Sequence, residues 1–310
     1  MLLLLLLSVA WVGESFVSVS SRRSKRISAS RVDLEELVQR KLREAAELHR
    51  QHNSIAESDI RKRLSFAASE GGVRFARSMR RKIDEEKGMA IVADVKRNRL
   101  DGTFSGAKFS DAAAVAQTVM TWPIDAVSIG LDAYGGTLME LKETRKRLGV
   151  EVPILSKELI VDPIQIAIAA ECGADAVVLL AQVLGSRLED LLDAATIMGV
   201  EAVVEVHTPD ECRYALEAGA TILLANNYDR IENQMMPRQA RGLKDLIPPN
   251  IVSIATGGIR TFDQAAALGE VGYDAVLLGT AIIGSPPAES KPLVKAIREL
   301  TISPLQNMLF

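Results

Sequence analysis

Eight short aliphatic runs separated by amphipathic segments constrain this chain more than any other feature. They lie at Ala90 to Val95, Ile124 to Ile129, Val152 to Leu155, Ala176 to Leu180, Ala202 to Val206, Thr221 to Leu224, Ile251 to Ile254 and Ala275 to Leu278. They recur at intervals of about 20 to 35 residues, the size of one strand and one returning helix with their loops. Runs that are apolar throughout belong to strands buried on both faces, as in a parallel sheet. Between them, Asp111 to Met120, Leu138 to Arg147, Ile164 to Cys172, Arg187 to Met198, Pro209 to Ala218 and Thr261 to Glu270 carry helical periodicity. The pattern predicts an α/β chain closed into a (β/α)8 TIM barrel. A doubly wound open sheet is the alternative, weakened because no Gly-x-Gly-x-x-Gly follows the first run.

A helical extension is expected before the barrel. Val32 to Asn53 places Leu34, Leu37, Val38, Leu42 and Ala45 on one face with charges opposite, and Ile60 to Lys87 continues as basic helical segments. The runs Arg61-Lys62-Arg63 and Arg80-Arg81-Lys82 read as solvated faces, since Asp84, Glu85 and Glu86 follow at once. With a formal net charge of -3, nothing in the balance favours nucleic acid as a partner. The expected organisation is a leader over 1–31, the helical extension over 32–88, the barrel over 89–300 and a tail over 301–310.

The leader has two parts. Leu2 to Val12 is apolar but far shorter than the roughly 20 residues a bilayer span needs, so it reads as a signal-peptide core and implies no lasting membrane anchor. Ser15 to Arg31 is rich in Ser and Arg and free of acids, the composition of a transit peptide. The combination resembles the leaders of algae whose plastids lie behind extra membranes, with cleavage near Phe16; simple secretion is the competing expectation. Cys172 and Cys212 share no metal-ligand spacing and read as small buried hydrophobes within helices.

Polar residues at the carboxyl ends of the runs converge on one mouth of such a barrel, where active sites lie. The first run ends Asp94-Val-Lys96, and residues two apart on a strand point the same way. Pro153 to Pro163 carries Lys157 at the end of a buried strand, a costly place for an ammonium unless the site uses it. The fifth run holds Glu205 and then His207, the sixth leads to Asn226-Asn227, the seventh to Thr256-Gly257-Gly258 and the eighth to Gly279-Thr280. Two lysines, two carboxylates and an amide form an acid–base constellation; as structure alone they would be layered salt bridges. The glycines after the seventh and eighth runs allow backbone N–H groups to approach an anion, so a phosphorylated small molecule is the expected ligand. His207 reads either as a general base or as a hydrogen-bonded structural residue. His49 and His52 lack a third ligand, so no metal site is expected. Asp132, Tyr134 and Gly135-Gly136 read as a covering loop or as a turn.

The runs Ile-Val-Ala-Asp-Val-Lys, Pro-Ile-Leu-Ser-Lys-Glu-Leu-Ile-Val-Asp-Pro-Ile-Gln-Ile, Val-Val-Glu-Val-His and Ala-Asn-Asn resemble those of the indole-3-glycerol phosphate synthase family over about Val32 to Gly284. The resemblance implies cofactor-free ring closure of 1-(2-carboxyphenylamino)-1-deoxyribulose 5-phosphate, with loss of carbon dioxide and water, in tryptophan biosynthesis. By the same resemblance Lys157 is the general acid, Glu205 the base for dehydration, and Lys96 a lysine contacting substrate. Asp94, Asn226, Thr256 and Gly257 fall at substrate-binding positions, and Gly258, Gly279 and Thr280 on phosphate-binding loops. The chain departs from the family pattern at several of these places. It has Asp94 for a glutamate, Asn98-Arg99-Leu100-Asp101 for a Ser-Pro loop, Leu159 for an aromatic, Tyr228 for an arginine and Thr256-Gly257 for Glu-Ser. These departures keep two alternatives in view, a catalytically silent barrel serving as a scaffold or plastid subunit, and an enzyme for another phosphorylated compound. The sequence names no protein partner.

Overall fold

The computed structural model describes residues 33–55, 58–65, 72–84, 88–101, 103–229 and 234–300. The expected leader, the expected tail, Glu85 and Glu86 lie outside the described residues, as do the side chains of Arg81, Lys82 and Asp84.

Eight parallel strands close into a barrel in chain order: β1 (Ala90–Val95), β2 (Ala126–Gly130), β3 (Ile154–Lys157), β4 (Ala176–Leu180), β5 (Glu201–Val206), β6 (Ile222–Asn226), β7 (Val252–Thr256) and β8 (Ala275–Leu278). Closure runs from Ala90 beside Ala275 to Ala93 beside Leu278. Helices Ala112–Val119, Leu138–Leu148, Pro163–Glu171, Leu188–Ile197, Pro209–Glu217, Gln239–Leu243, Phe262–Glu270 and Pro287–Arg298 return the chain after successive strands. The sixth and the last lie outside the expected segments, the sixth because five residues are too few to display a period. A short antiparallel ribbon, Tyr228–Asp229 with Gln234–Met235, follows β6.

The expected barrel is therefore present, with one systematic shift. β3, β6 and β7 each run two residues further than their apolar runs, so Lys157, Asn226 and Thr256 close strands, as expected for the polar residues at those ends. Apolar content marks where a strand is dry. The ladder continues into the polar mouth because backbone pairing does not depend on side-chain polarity.

Strand alternation divides the apolar residues into two clusters. Ala90, Val92, Leu155, Val178, Val203, Leu224, Ile254 and Leu277 fill the barrel, while Ile91, Ile129, Leu179, Val204, Leu223 and Val276 meet the helices outside. Along β1 the inward phase ends at Asp94 and along β5 at Glu205, so the same periodicity that builds the core delivers charges to its mouth.

The N-terminal extension runs from one end of the barrel to the other. α1 (Leu34–Asn53) is capped by Asp33, whose side chain accepts from the Glu35 N–H, and lays Leu37 and Val38 on the interior cluster at the carboxyl end. The basic region expected over 60–87 contains two helices. α2 (Asp59–Ser65) ties Arg63 to Glu171, 2.5 Å apart, on the barrel wall. α3 (Arg74–Asp84) inserts Phe75 and Met79 into the amino end of the barrel. There Glu201, at the start of β5, accepts from the N–H of Phe75 at 2.5 Å and of Ala76 at 2.9 Å. Glu201→Ala leaves both N–H groups without that acceptor and is expected to cost about 1–3 kcal/mol in urea unfolding. An unchanged midpoint would show that Phe75 and Met79 hold the plug alone.

Candidate active site

Lys157 ends β3 at 1% exposure, among the largest fully buried side chains of the molecule. A buried ammonium needs an anion, and Asp94 at the end of β1 supplies it. Asp94 Oδ2 lies 3.3 Å from Lys157 Nζ and 2.7 Å from Lys96 Nζ, so one carboxylate is shared by two lysines. Its other oxygen accepts from Ser128 Oγ at 3.0 Å, and Ser128 stands opposite Asp94 in the β1–β2 ladder. Burial alone would raise the Asp94 pKa, but Lys157, Lys96 and the Ser128 hydroxyl overcome it and bring it down to about 2. Beneath the group lies Tyr134, whose ring centroid is 5.7 Å from Lys96 Nζ and 5.6 Å from Lys157 Nζ.

Across the mouth, Glu205 is fully buried at the end of β5. Its Oε1 accepts from Asn226 Nδ2 at 2.8 Å and lies 3.2 Å from His207 Nε2. His207 is held on its other side by Glu211, 3.1 Å from Nδ1, and by its own N–H donating to the same carboxylate at 2.8 Å. Its ring is thus held between two carboxylates, Glu205 and Glu211.

The glycines have distinct reasons. Gly257 has φ +90°, and a Cβ there would stand 2.5 Å from Asn226 Oδ1 and 2.8 Å from the Asn227 nitrogen. Its role in this fold is to leave room for the amide that holds Glu205. Gly258, φ +70°, is covered by Met235 of the ribbon, and Gly279 approaches Asp94 Oδ2. Thr256 and Thr280 both have committed hydroxyls: Thr256 Oγ1 donates to the Leu277 carbonyl at 3.0 Å, and Thr280 Oγ1 to the Ser105 carbonyl at 2.9 Å. Any anion contact from Thr280 in this arrangement falls to backbone N–H.

All ten candidate residues lie at this one mouth. The residues not singled out beforehand are Ser128 and, in its actual role, Tyr134. Ser128 was detectable as a polar residue on the inward phase of β2. The sequence offers Tyr134 as part of a covering loop or turn, and the structure places it at 1% exposure under the lysines. The loop is a turn, with Asp132 turned outward to Arg40 at 2.7 Å. Arg99 stands exposed at the rim, its guanidinium 5.9 Å from the Tyr228 ring. Leu159, in place of the family's aromatic, joins Leu37 and Val38 of α1 in the interior cluster. His49 and His52 take separate partners, Asp162 and Ser58, each at 2.9 Å. Cys212 is buried as expected, but Cys172 is only half-buried because it caps the end of its helix. No group of His, Cys, Asp and Glu suited to a metal ion occurs among the described residues.

Replacing Asp94 by asparagine removes the anion shared by two ammonium groups and makes loss of a proton from them easier. Turnover is expected to fall about 100-fold, and the alkaline limb of its pH profile to move down. The acid side has the opposite sign. The folded value of about 2 lies below the ordinary 3.8, so the Asp94 contribution to stability is complete above 3.8 and is lost as pH falls toward 2. In the variant that acid dependence disappears, which thermal unfolding between pH 5 and 2 measures.

Residues 34–299 match the family model described as indole-3-glycerol phosphate synthase. The indole-3-glycerol phosphate synthase of Roseiflexus sp. (strain RS-1) is 32% identical over 263 residues, covering 82% of this chain and 93% of the relative. That of Mycolicibacterium smegmatis is 32% identical over 220 residues, covering 68% of this chain and 78% of the relative. Among solved structures, thiamine phosphate pyrophosphorylase from Pyrococcus furiosus superposes with a TM-score of 0.53 at 15% identity, over 73% of this chain and 100% of that one, a likeness of barrel fold alone. With a matching model across extension and barrel, and relatives matched over most of their length, this chain belongs to the indole-3-glycerol phosphate synthase family.

Proposed function

We propose that the chain is an indole-3-glycerol phosphate synthase, closing 1-(2-carboxyphenylamino)-1-deoxyribulose 5-phosphate to indole-3-glycerol phosphate with loss of carbon dioxide and water. The observation that carries this reading is the pairing of a Lys96–Asp94–Lys157 group, with Asp94 and Lys157 buried, and a Glu205 carboxylate held by Asn226 and His207 at the same mouth. Lys157 donates a proton to the ketone oxygen as the carboxyl-bearing ring carbon attacks the carbonyl carbon. The carboxyl group then leaves as carbon dioxide and its bonding pair restores the aromatic ring. The new hydroxyl then leaves as water with a proton from Lys96, while Glu205 takes the proton from the neighbouring nitrogen-bearing carbon and the indole double bond forms. Lys96 faces the anionic substrate, Asp94 holds both lysines charged, and Asn226 orients Glu205. Thr256 and Gly257 shape the substrate end, and N–H groups at Gly258, Gly279 and Thr280 receive the phosphate.

The reading further takes 1–31 as a cleaved plastid-type leader, 32–88 as the extension, 89–300 as the catalytic barrel and 301–310 as a tail, on the composition of the segments. No helix among the described residues is long and apolar enough to cross a membrane. Complementation of a tryptophan-requiring strain that lacks the synthase tests the activity, with the chain from Val32 onward beside Lys157→Ala. Growth with the first and none with the second, both soluble, is the expected result. Failure of both as folded proteins would turn the reading toward a scaffold or another phosphorylated substrate.

A further inference from the structure

The described helix α1 has two adjacent cations that reach two different barrel loops. Arg40 grips Asp132, after β2, with two bonds, Nη1 to Oδ1 at 3.0 Å and Nη2 to Oδ2 at 2.7 Å. Lys41, 5% exposed, contacts Glu158, 9% exposed, after β3, and also lies 2.9 Å from Glu44 and 3.7 Å from Asp132. Burial would depress the Lys41 ammonium, but Glu158, Glu44 and Asp132 together hold it above the usual lysine range.

Each gripped carboxylate sits next to a group that serves the mouth. Glu158 follows Lys157, and strand alternation sends Lys157 inward and Glu158 out to α1. Asp132 stands in a tight turn, φ +49°, whose bonds run from the Asp132 N–H to Gly136 O at 2.8 Å and from the Tyr134 N–H to Leu131 O at 2.9 Å. Moving Asp132 therefore moves Tyr134. The Leu131 N–H donates to Lys157 O at 2.9 Å, joining the loop after β2 directly to the end of β3. After β3 the chain is further closed on itself by Gln165, which donates to Leu159 O at 2.9 Å and accepts from the Val161 N–H at 2.9 Å. Leu37 and Val38 already supply apolar adhesion for α1. A buried ion pair adds little stability over well-packed apolar residues, so its contribution here is geometric.

We propose that Arg40 and Lys41 of α1 act as a positioning clamp, fixing the loops after β2 and β3 so that Tyr134 and Lys157 keep their places in the mouth. The clamp is read against the synthase activity proposed above, and its test has an arm that does not depend on that activity.

The experiment compares the full chain with Lys41→Met, Glu158→Gln, the double variant and Asp132→Asn, by steady-state kinetics and by amide hydrogen exchange. Lys41→Met is expected to lower kcat about tenfold or more with KM within about twofold, because the phosphate loops on β7 and β8 are untouched. Exchange should accelerate over 131–136 and 157–162 and stay unchanged in β5 to β8. The double variant should lose no more than Lys41→Met alone. Asparagine accepts the left-handed backbone at position 132, so Asp132→Asn keeps the fold if Lys41→Met does not, and should lower kcat about threefold. Wild-type kcat in the soluble variants, additive losses, or faster exchange confined to α1 would each overturn the clamp. Absence of synthase turnover in the wild type defeats the functional reading instead, and the exchange pattern then decides the clamp by itself.

Discussion

Lys157→Met is expected to reduce kcat by about 10³-fold, near the upper part of what a positioned general acid contributes, and to abolish carbon dioxide release and indole formation together. Both vanish because the proton donated to the ketone oxygen precedes every later bond change. Methionine fills most of the buried volume, and Asp94 keeps Lys96 at 2.7 Å as its counter-charge, so no buried carboxylate is stranded. Unfolding should therefore remain cooperative, within a few kcal/mol of wild type. Stopped-flow absorbance and trapped carbon dioxide read the two products separately. Retention of more than about a tenth of kcat would remove Lys157 from the acid role.

Glu205→Gln is expected to separate those products. Glutamine keeps the length of the side chain and an oxygen to accept from Asn226, which now stands 2.8 Å from Glu205 Oε1, but it cannot take a proton. In single turnover, carbon dioxide should still appear at close to wild-type amplitude, while the indole absorbance rises about 10² to 10⁴ times more slowly. A hydroxylated, decarboxylated intermediate should accumulate in proportion. Equal slowing of both products would place Glu205 before ring closure. An unchanged indole rate would transfer the base to another group, with His207 the nearest candidate at 3.2 Å.

Much of the site was legible because a barrel translates one-dimensional phase into a three-dimensional ring. Asp94 in step with Val92, Glu205 in step with Val203 and Lys157 in step with Leu155 needed only the two-residue repeat and the rule that the carboxyl ends of the strands form the mouth. Phase does not report which polar groups meet. Asp94 serves Lys96 and Lys157 because β1 and β3 flank β2, whose Ser128 completes the group. The hydroxyls of Thr256 and Thr280 were legible as polar groups at the mouth, but their commitment to the Leu277 and Ser105 carbonyls depends on neighbouring strands and loops.

The order of residues by itself determined the strand count, the direction each side chain faces and the end of the barrel where charge collects, since all three follow from local periodicity and chirality. Only the tertiary structure decided that Tyr134 lies under the lysines, that His207 sits between Glu205 and Glu211 and that α1 reaches two loops through Arg40 and Lys41. Those contacts join residues far apart in the chain, and long-range pairing is set by how helices and loops pack on the closed barrel, which no local repeat encodes.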